Sequence, residues 1–98
     1  MIEIVKNNRI NIIISNRLDA TNSAEAAQTV ESALENPDRD IVLNVEKLEY
    51  ISSAGLQVIL KCAKAAKAAG KEIYLHGATG NVLEIFRLSG FLTFLKEE

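Results

Sequence analysis

The amino-acid sequence predicts an α/β fold, in which helices pack on a mixed sheet of four or five strands. Three observations lead to this prediction: two β-branched runs near the amino terminus, a nearly unbroken apolar run at residues 40–45, and segments with helical apolar spacing between the later strands. The predicted order is β-β-α-β-α-β-α with a short carboxyl-terminal segment. At 98 residues and 48% hydrophobic, the sequence fits one domain, residues 1–98.

The first two strands are predicted as a hairpin over residues 2–5 and 10–14. Both runs are rich in isoleucine, and the polar stretch between them contains Asn7 and Asn8. Asparagine tolerates the positive φ angles that tight turns require. Residues 15–21 are then predicted to form a loop.

The first helix is predicted to begin at Asn22, because Asn22 and Glu25 have the spacing of a capping box. Val30 and Leu34 continue the apolar side of this helix, and Pro37 ends the pattern. The helix is therefore amphipathic and is expected to lie on the sheet.

The apolar run at residues 40–45 is typical of a central strand in a parallel sheet, covered on both faces. A second helix is predicted from Gly55 to a stop at Gly70, with apolar residues on one side and lysines facing solvent. Residues 72–76 are predicted to form the next strand.

The third helix is predicted to start at Asn81, since Asn81 and Glu84 repeat the capping-box spacing, and to end near Ser89. The tail, residues 91–95, contains Phe91, Phe94 and Leu95. We expect it to pack back onto the core, and the alternative is that these residues are partly exposed for a partner.

Three strand-to-helix loops should meet at one edge of this sheet. In consecutive βαβ units these loops leave the carboxyl ends of parallel strands, which places residues 15–21, 46–54 and 77–80 together. The middle loop carries Ser52 and Ser53 directly before a helix, where free backbone amides and the helix dipole favour a phosphate. Local chemistry alone also fits two serines that serve only as helix caps.

Three segments of the sequence resemble successive landmarks of the STAS domain family. They are Asn16-Arg-Leu-Asp-Ala-Thr21, Tyr50-Ile-Ser-Ser-Ala-Gly-Leu56 and Arg87-Leu-Ser-Gly-Phe91. The resemblance covers nearly the whole chain, and the Ser-Ser-Ala-Gly-Leu turn is its most specific part. The fold that it implies is a single STAS-like domain.

The resemblance implies the function of an anti-sigma factor antagonist. Such a protein binds an anti-sigma factor with serine kinase activity while unphosphorylated, which releases the sigma factor, and is switched off by phosphorylation. The position that matches the phosphorylated serine is Ser53, with Ser52 as a secondary candidate. A metal-dependent serine phosphatase would restore the unmodified form.

The partner-binding residues implied by the resemblance are Asp19, Ser52, Ser53, Ala54, Gly55 and Leu56. Ser52 stands where an acidic residue often precedes the phosphorylated serine in the family. For Asp19, an Asx-type turn that holds the loop is an equally good interpretation. A second function within the family is phosphorylation-independent docking, as a scaffold or a transporter accessory.

Other classes of function are disfavoured by the sequence. The net charge of -2 argues against direct nucleic-acid or membrane binding, and the absence of an apolar leader or span predicts a cytoplasmic protein. Nucleotide-binding and metalloprotease motifs are absent, and His76 has no evident catalytic partner, so neither an enzyme nor a cofactor or metal site is expected. Nucleotide binding at the loop edge remains an open alternative. The one cysteine, Cys62, is predicted to lie in the core. Homodimer formation through the amino-terminal edge strand remains open.

Overall fold

The computed structural model describes residues 2–98 and contains seven strands and three α-helices within them. The strands are β1 (Ile2–Lys6), β2 (Ile10–Ile14), β3 (Asn16–Leu18), β4 (Ile41–Asn44), β5 (Leu48–Ile51), β6 (Ile73–His76) and β7 (Lys96–Glu97). The helices are α1 (Ser23–Ala33), α2 (Ser53–Ala68) and α3 (Gly80–Leu88), followed by one 3₁₀ turn, Phe91–Thr93.

The main sheet has five strands in the order β1-β2-β4-β6-β7. β1 runs antiparallel to β2 and lies at one edge, whereas β2, β4, β6 and β7 are parallel. The predicted hairpin and the mixed α/β sheet are therefore confirmed. The register aligns Ile12 with Leu43 and Leu43 with Leu75 across the centre of the sheet.

The prediction that residues 15–21 and 46–54 form loops is wrong in part, because each contains a short strand. β3 and β5 pair in parallel as a separate two-stranded sheet, with Leu18 opposite Ile51. Asn16 has a φ of 66°, and the register shifts between Asn16 and Arg17. This irregularity separates β3 from β2, so the chain leaves the main sheet immediately after Ser15.

The core lies mainly on one side of the main sheet. In β2, Ile10, Ile12 and Ile14 are buried, while Asn11 and Ile13 between them are partly exposed, as strand alternation requires. The central strand β4 is different, since its three apolar residues are all buried, as the sequence predicts. Cys62 is fully buried in the same core, which confirms its predicted place.

Two helix starts differ from their predicted capping boxes. Asn22 occupies the N-cap of α1 as predicted, but its side chain makes no cap hydrogen bond. Helix α3 begins at Gly80 with Thr79 as its N-cap, so the predicted start at Asn81 is wrong. Glu84 does not reach back to the helix start, because it accepts a hydrogen bond from Arg87 at 3.0 Å.

The carboxyl-terminal tail packs back onto the core, as predicted, through Leu95. β7 then pairs with β6, and the amide of Glu98 donates to the carbonyl of Leu75 at 2.9 Å. The prediction of core packing is wrong for Phe94, whose side chain is 43% exposed. Within residues 2–98, no helix has the length and hydropathy needed to cross a bilayer.

Candidate functional site

The two adjacent serines before α2 have different environments. Ser52 is the N-cap, with extended backbone, and its hydroxyl accepts a hydrogen bond from the amide of Gly55 at 3.2 Å. Ser53 is the first residue of the helix and is exposed. No partner for the Ser53 hydroxyl exists among residues 2–98. The capping interpretation therefore holds for Ser52 and not for Ser53.

The start of α2 is fixed to the end of β3. The amide of Ser52 donates to the carbonyl of Leu18 at 3.0 Å, which continues the β3–β5 pairing by one bond. Gly55 is buried against the same carbonyl group. Because these contacts are made by backbone, the position of Ser53 relative to residue 18 is set by the fold rather than by flexible side chains.

Asp19 follows Leu18 directly, and its carboxylate holds the loop before α1. Its Oδ1 accepts hydrogen bonds from the amide of Thr21 at 2.9 Å and from the Thr21 hydroxyl at 2.6 Å, and its Oδ2 lies 3.2 Å from Arg17 Nε. These contacts, led by the hydroxyl of Thr21, lower the pKa of Asp19 below its ordinary value. The Asx-type turn is confirmed, while partner docking by Asp19 remains a prediction.

Asn22 completes the same loop. Its Oδ1 accepts from the amide of Asp19 at 2.9 Å, and its Nδ2 donates to the carbonyl of Arg17 at 2.8 Å. The side chain therefore bridges the loop backbone instead of capping α1, which explains why the predicted capping box is not formed.

Two exposed residues that sequence reasoning did not assign to the site lie beside it. Arg17 is opposite Tyr50 in the β3–β5 register, and its guanidinium lies 4.4 Å from the centre of the Tyr50 ring, a cation–π distance. Tyr50 is 40% exposed. Both residues are within the segments quoted for the family resemblance, but their contact depends on a strand pairing that the sequence does not predict.

The remaining predicted partner-binding residues lie in the first turn of α2. Ala54 is partly exposed, Gly55 is buried, and Leu56 is partly buried against the core. The amide of Leu56 donates to the carbonyl of Ser52 at 2.9 Å. Ser53, Ala54 and the exposed part of Leu56 are thus the parts of this turn that a partner can touch directly.

The third predicted loop also reaches this edge of the sheet. Gly77 follows β6 with a φ of 82° and lies against the side chain of Glu46, in the loop after β4. The Oε1 of Glu46 is 3.7 Å from His76 Nε2. In residues 2–98, no group of acidic, histidine or cysteine side chains has the arrangement of a metal site.

The sequence matches a known family model over most of its length. The model described as "Mlab, STAS domain" covers residues 5–96. The chain belongs to the STAS domain family. This confirms the family that the three sequence segments indicated.

Among curated proteins, this STAS domain is similar to the candidate anti-sigma factor antagonist BtrV of Bordetella bronchiseptica. The two are 39% identical over 75 residues, which is 74% of this chain and 65% of BtrV. The chain thus spans less than two thirds of that relative.

Two solved structures show the same fold. An anti-sigma factor antagonist (STAS) domain protein from Planctomyces limnophilus superposes with a TM-score of 0.89 at 16% identity, covering 99% of this chain and 87% of that one. The Bacillus cell fate determinant SpoIIAA in its phosphorylated form gives a TM-score of 0.74 at 18% identity, covering 100% of this chain and 89% of SpoIIAA. The predicted STAS-like fold is confirmed.

Proposed function

We propose that this STAS domain is an anti-sigma factor antagonist switched by phosphorylation of Ser53. In its unmodified form it binds an anti-sigma factor with serine kinase activity, which releases the sigma factor for transcription. The observation that carries the proposal is the exposed hydroxyl of Ser53 at the first position of α2, which has no hydrogen-bond partner among residues 2–98.

The difference between the two serines supports Ser53 as the acceptor. A hydroxyl that attacks the γ-phosphorus of ATP must lie within reach of the kinase and must give up its proton to a base. Ser53 is exposed at a helix start, whereas Ser52 is partly buried and its oxygen already accepts from Gly55. Ser52 is therefore the less accessible of the two hydroxyls and stays the secondary candidate.

The docking surface of the proposal consists of Asp19, Ser53, Ala54 and the stacked pair of Arg17 and Tyr50. Tyr50 contributes an aromatic ring of the kind that is enriched at protein interfaces. The ion pair with Asp19 and the Tyr50 ring hold Arg17 in place before the partner arrives. A preformed surface of this kind loses little side-chain entropy on binding.

Phosphorylation would act on the contact itself and leave the fold intact. The Ser53 oxygen gains the γ-phosphoryl group and ADP leaves, which adds about -1.5 to -2 charges. The amino-terminal end of α2 favours a nearby anion by about 0.3–1 kcal/mol, so the phosphate is tolerated there. In the centre of the docking surface, however, its charge and hydration separate the two proteins. A serine phosphatase resets the switch by hydrolysis.

The proposal is tested by phosphopeptide mapping of the purified protein after incubation with ATP and an extract of its own cells. Trypsin releases both serines in one peptide, residues 48–61, and fragmentation of that peptide assigns the phosphate. We expect phosphate on Ser53 in wild type and in Ser52→Ala, and none in Ser53→Ala. In binding assays with the kinase, Ser53→Ala should retain affinity and Ser53→Asp should lose it.

Two outcomes contradict this proposal. Phosphate on Ser52 alone assigns the switch to the neighbouring residue. No phosphate at all, with the kinase active on a control substrate, favours the second function of the sequence analysis, a phosphorylation-independent scaffold or transporter accessory. Equal kinase affinity of wild type, Ser53→Ala and Ser53→Asp removes Ser53 from the mechanism.

A further inference from the structure

A second surface lies at the opposite end of α2 from Ser53. A groove of about 770 Å³ runs between the last turns of α2, the start of β6 and the carboxyl-terminal segment. Lys67 follows Ser53 by 14 positions in the same helix, which corresponds to about 21 Å along its axis. The groove is therefore separate from the phosphorylation surface.

The floor of the groove is apolar, with Leu60, Ala63, Ile73, Leu92 and Leu95 among its lining residues. Leu95 and Ile73 belong to the hydrophobic core, and Leu60 and Leu92 are partly exposed. A ligand that covers this floor removes apolar surface from water.

Phe94 provides an aromatic wall for the groove. It is 43% exposed, yet its ring lies 5.1 Å from the ring of Phe91, which in turn lies 6.3 Å from the buried ring of Phe86. This series of ring contacts connects Phe94 to the core and holds it in place. An exposed aromatic side chain with fixed orientation is a typical anchor for a partner protein.

Three lysines without ion pairs surround the same floor. Lys64 and Lys67 lie one turn apart on α2, and Lys71 folds back on the last turn of the helix through a bond from its amide to the Ala66 carbonyl, 2.8 Å long. Among residues 2–98, no carboxylate pairs with any of the three. The groove is also lined by Lys96 and Glu72, which pair with each other, and by the exposed carboxylate of Glu97, so the lining as a whole stays positively charged.

We propose that this groove binds an acidic amphipathic helix of a partner protein. The apolar floor and Phe94 would take the apolar side of that helix, and Lys64, Lys67 and Lys71 would face its carboxylates. Acidic residues at positions i, i+3 or i+4, and i+7 of a helix form a row that matches a row of cations along one wall. Three separate lysines are a better match for such a row than for the single charge of a fatty acid.

A second copy of the chain matches the groove less well. None of the exposed residues of its acidic helix, α1, is large and apolar; they are Ala24, Glu25, Gln28, Glu31 and Ser32. Glu31 of the same helix is already paired with Lys61 at 3.0 Å. The exposed side of α1 in a second copy could therefore pair with the lysines of the groove but would not cover its apolar floor.

The test uses a fluorescein-labelled peptide of about 18 residues, long enough to form a helix, with leucines on one side and glutamates flanking them. A scrambled peptide of the same composition is the control. Fluorescence anisotropy should show that the wild-type protein binds the amphipathic peptide at least tenfold more tightly than the scrambled peptide. Added salt should weaken the binding of the amphipathic peptide. Lys64→Gln/Lys67→Gln should reduce this affinity roughly tenfold, and Phe94→Ala should also reduce it.

The matched control is Lys6→Gln/Lys47→Gln, which removes two exposed lysines outside the groove and should bind like wild type. Equal binding of the two peptides, or equal loss in both lysine double variants, overturns the proposal. Binding of dodecanoate but not of the peptide assigns the groove to an anionic amphiphile instead. If the protein does not bind the peptide but self-associates, and only Lys64→Gln/Lys67→Gln abolishes that self-association, the groove binds a second copy of the chain instead.

Discussion

The α carbon of Gly55 faces the carbonyl oxygen of Leu18 so closely that a β carbon at position 55 would lie 2.5 Å from that oxygen. The same β carbon would lie 2.8 Å from Cγ1 of Ile51. Position 55 therefore determines how near α2 can approach the β3–β5 pair, which carries Arg17 and Tyr50. The glycine is required for space, since it lies within a regular helix.

Gly55→Ala is expected to lower the free energy of unfolding by about 1–3 kcal/mol, the usual cost of forcing an extra carbon into a packed site. The sign of this change in stability is informative, because a glycine-to-alanine substitution at an uncrowded position inside a helix stabilises a protein by about 0.5–1 kcal/mol. Urea unfolding followed by circular dichroism measures it. Unchanged or increased stability would show that the helix can move away from Leu18 without cost.

Ser52→Ala and Ser53→Ala should affect stability differently. Loss of the N-cap oxygen at Ser52 leaves the Gly55 amide without its partner and should cost about 1 kcal/mol. Ser53→Ala should stay within about 0.5 kcal/mol of wild type, because the exposed hydroxyl bonds to none of the residues that the structure describes. Thermal unfolding of both variants compares them directly. Equal costs would contradict the assignment of Ser52 as the cap.

The Cys62 thiol is expected to make stability depend on alkaline pH. Burial raises the pKa of the Cys62 thiol to about 12, whereas the pKa of a thiol in an unfolded chain is about 8.5. Between these values the folded state binds more protons than the unfolded state, so stability falls as pH rises through this window. Since lysines and tyrosines titrate there too, the measurement is the difference between wild type and Cys62→Ala in urea unfolding from pH 8 to 11. Identical pH slopes would refute the prediction.

Truncation to alanine should have very different effects on stability at two apolar positions of α3. Phe86 is fully buried, and Phe86→Ala is expected to cost about 3–5 kcal/mol. Leu88 is 78% exposed, so Leu88→Ala should remain within about 0.5 kcal/mol of wild type. Chemical denaturation of the pair tests the orientation of the helix. A large loss in Leu88→Ala would mean that Leu88 is covered in solution.

Long apolar patterns are sufficient to predict the three helices and four of the five strands of the main sheet, whereas the two-residue strand β7 is too short to show a pattern. The strands β3 and β5 were missed because each is very short, and their buried residues, Leu18, Leu48 and Ile51, are too few to show a period. Their pairing joins residues more than 30 positions apart in the chain, which local sequence does not encode. The contact between Arg17 and Tyr50 was missed for the same reason.

The capping-box pattern was only partly informative about helix starts. Its spacing located the start of α1, but the Asn22 side chain bonds to the backbone of Arg17 and Asp19 instead. At Asn81 the same spacing was misleading, since Glu84 bonds to Arg87. When a polar side chain has several possible hydrogen-bond partners, the tertiary structure determines which bond forms. By contrast, Ser53 is indicated by the family resemblance of its segment, because local chemistry alone fits a helix cap equally well, and its role stays a prediction.

The cap at Ser52 also determines which substitutions the protein can accept over evolutionary time. Aspartate and asparagine cap helices about as well as serine, so position 52 can gain or lose a negative charge with little effect on folding. That charge would stand beside Ser53, at the surface proposed to meet the kinase. Position 52 is thus a place where related proteins can diverge in their choice of partner while keeping the same stable scaffold.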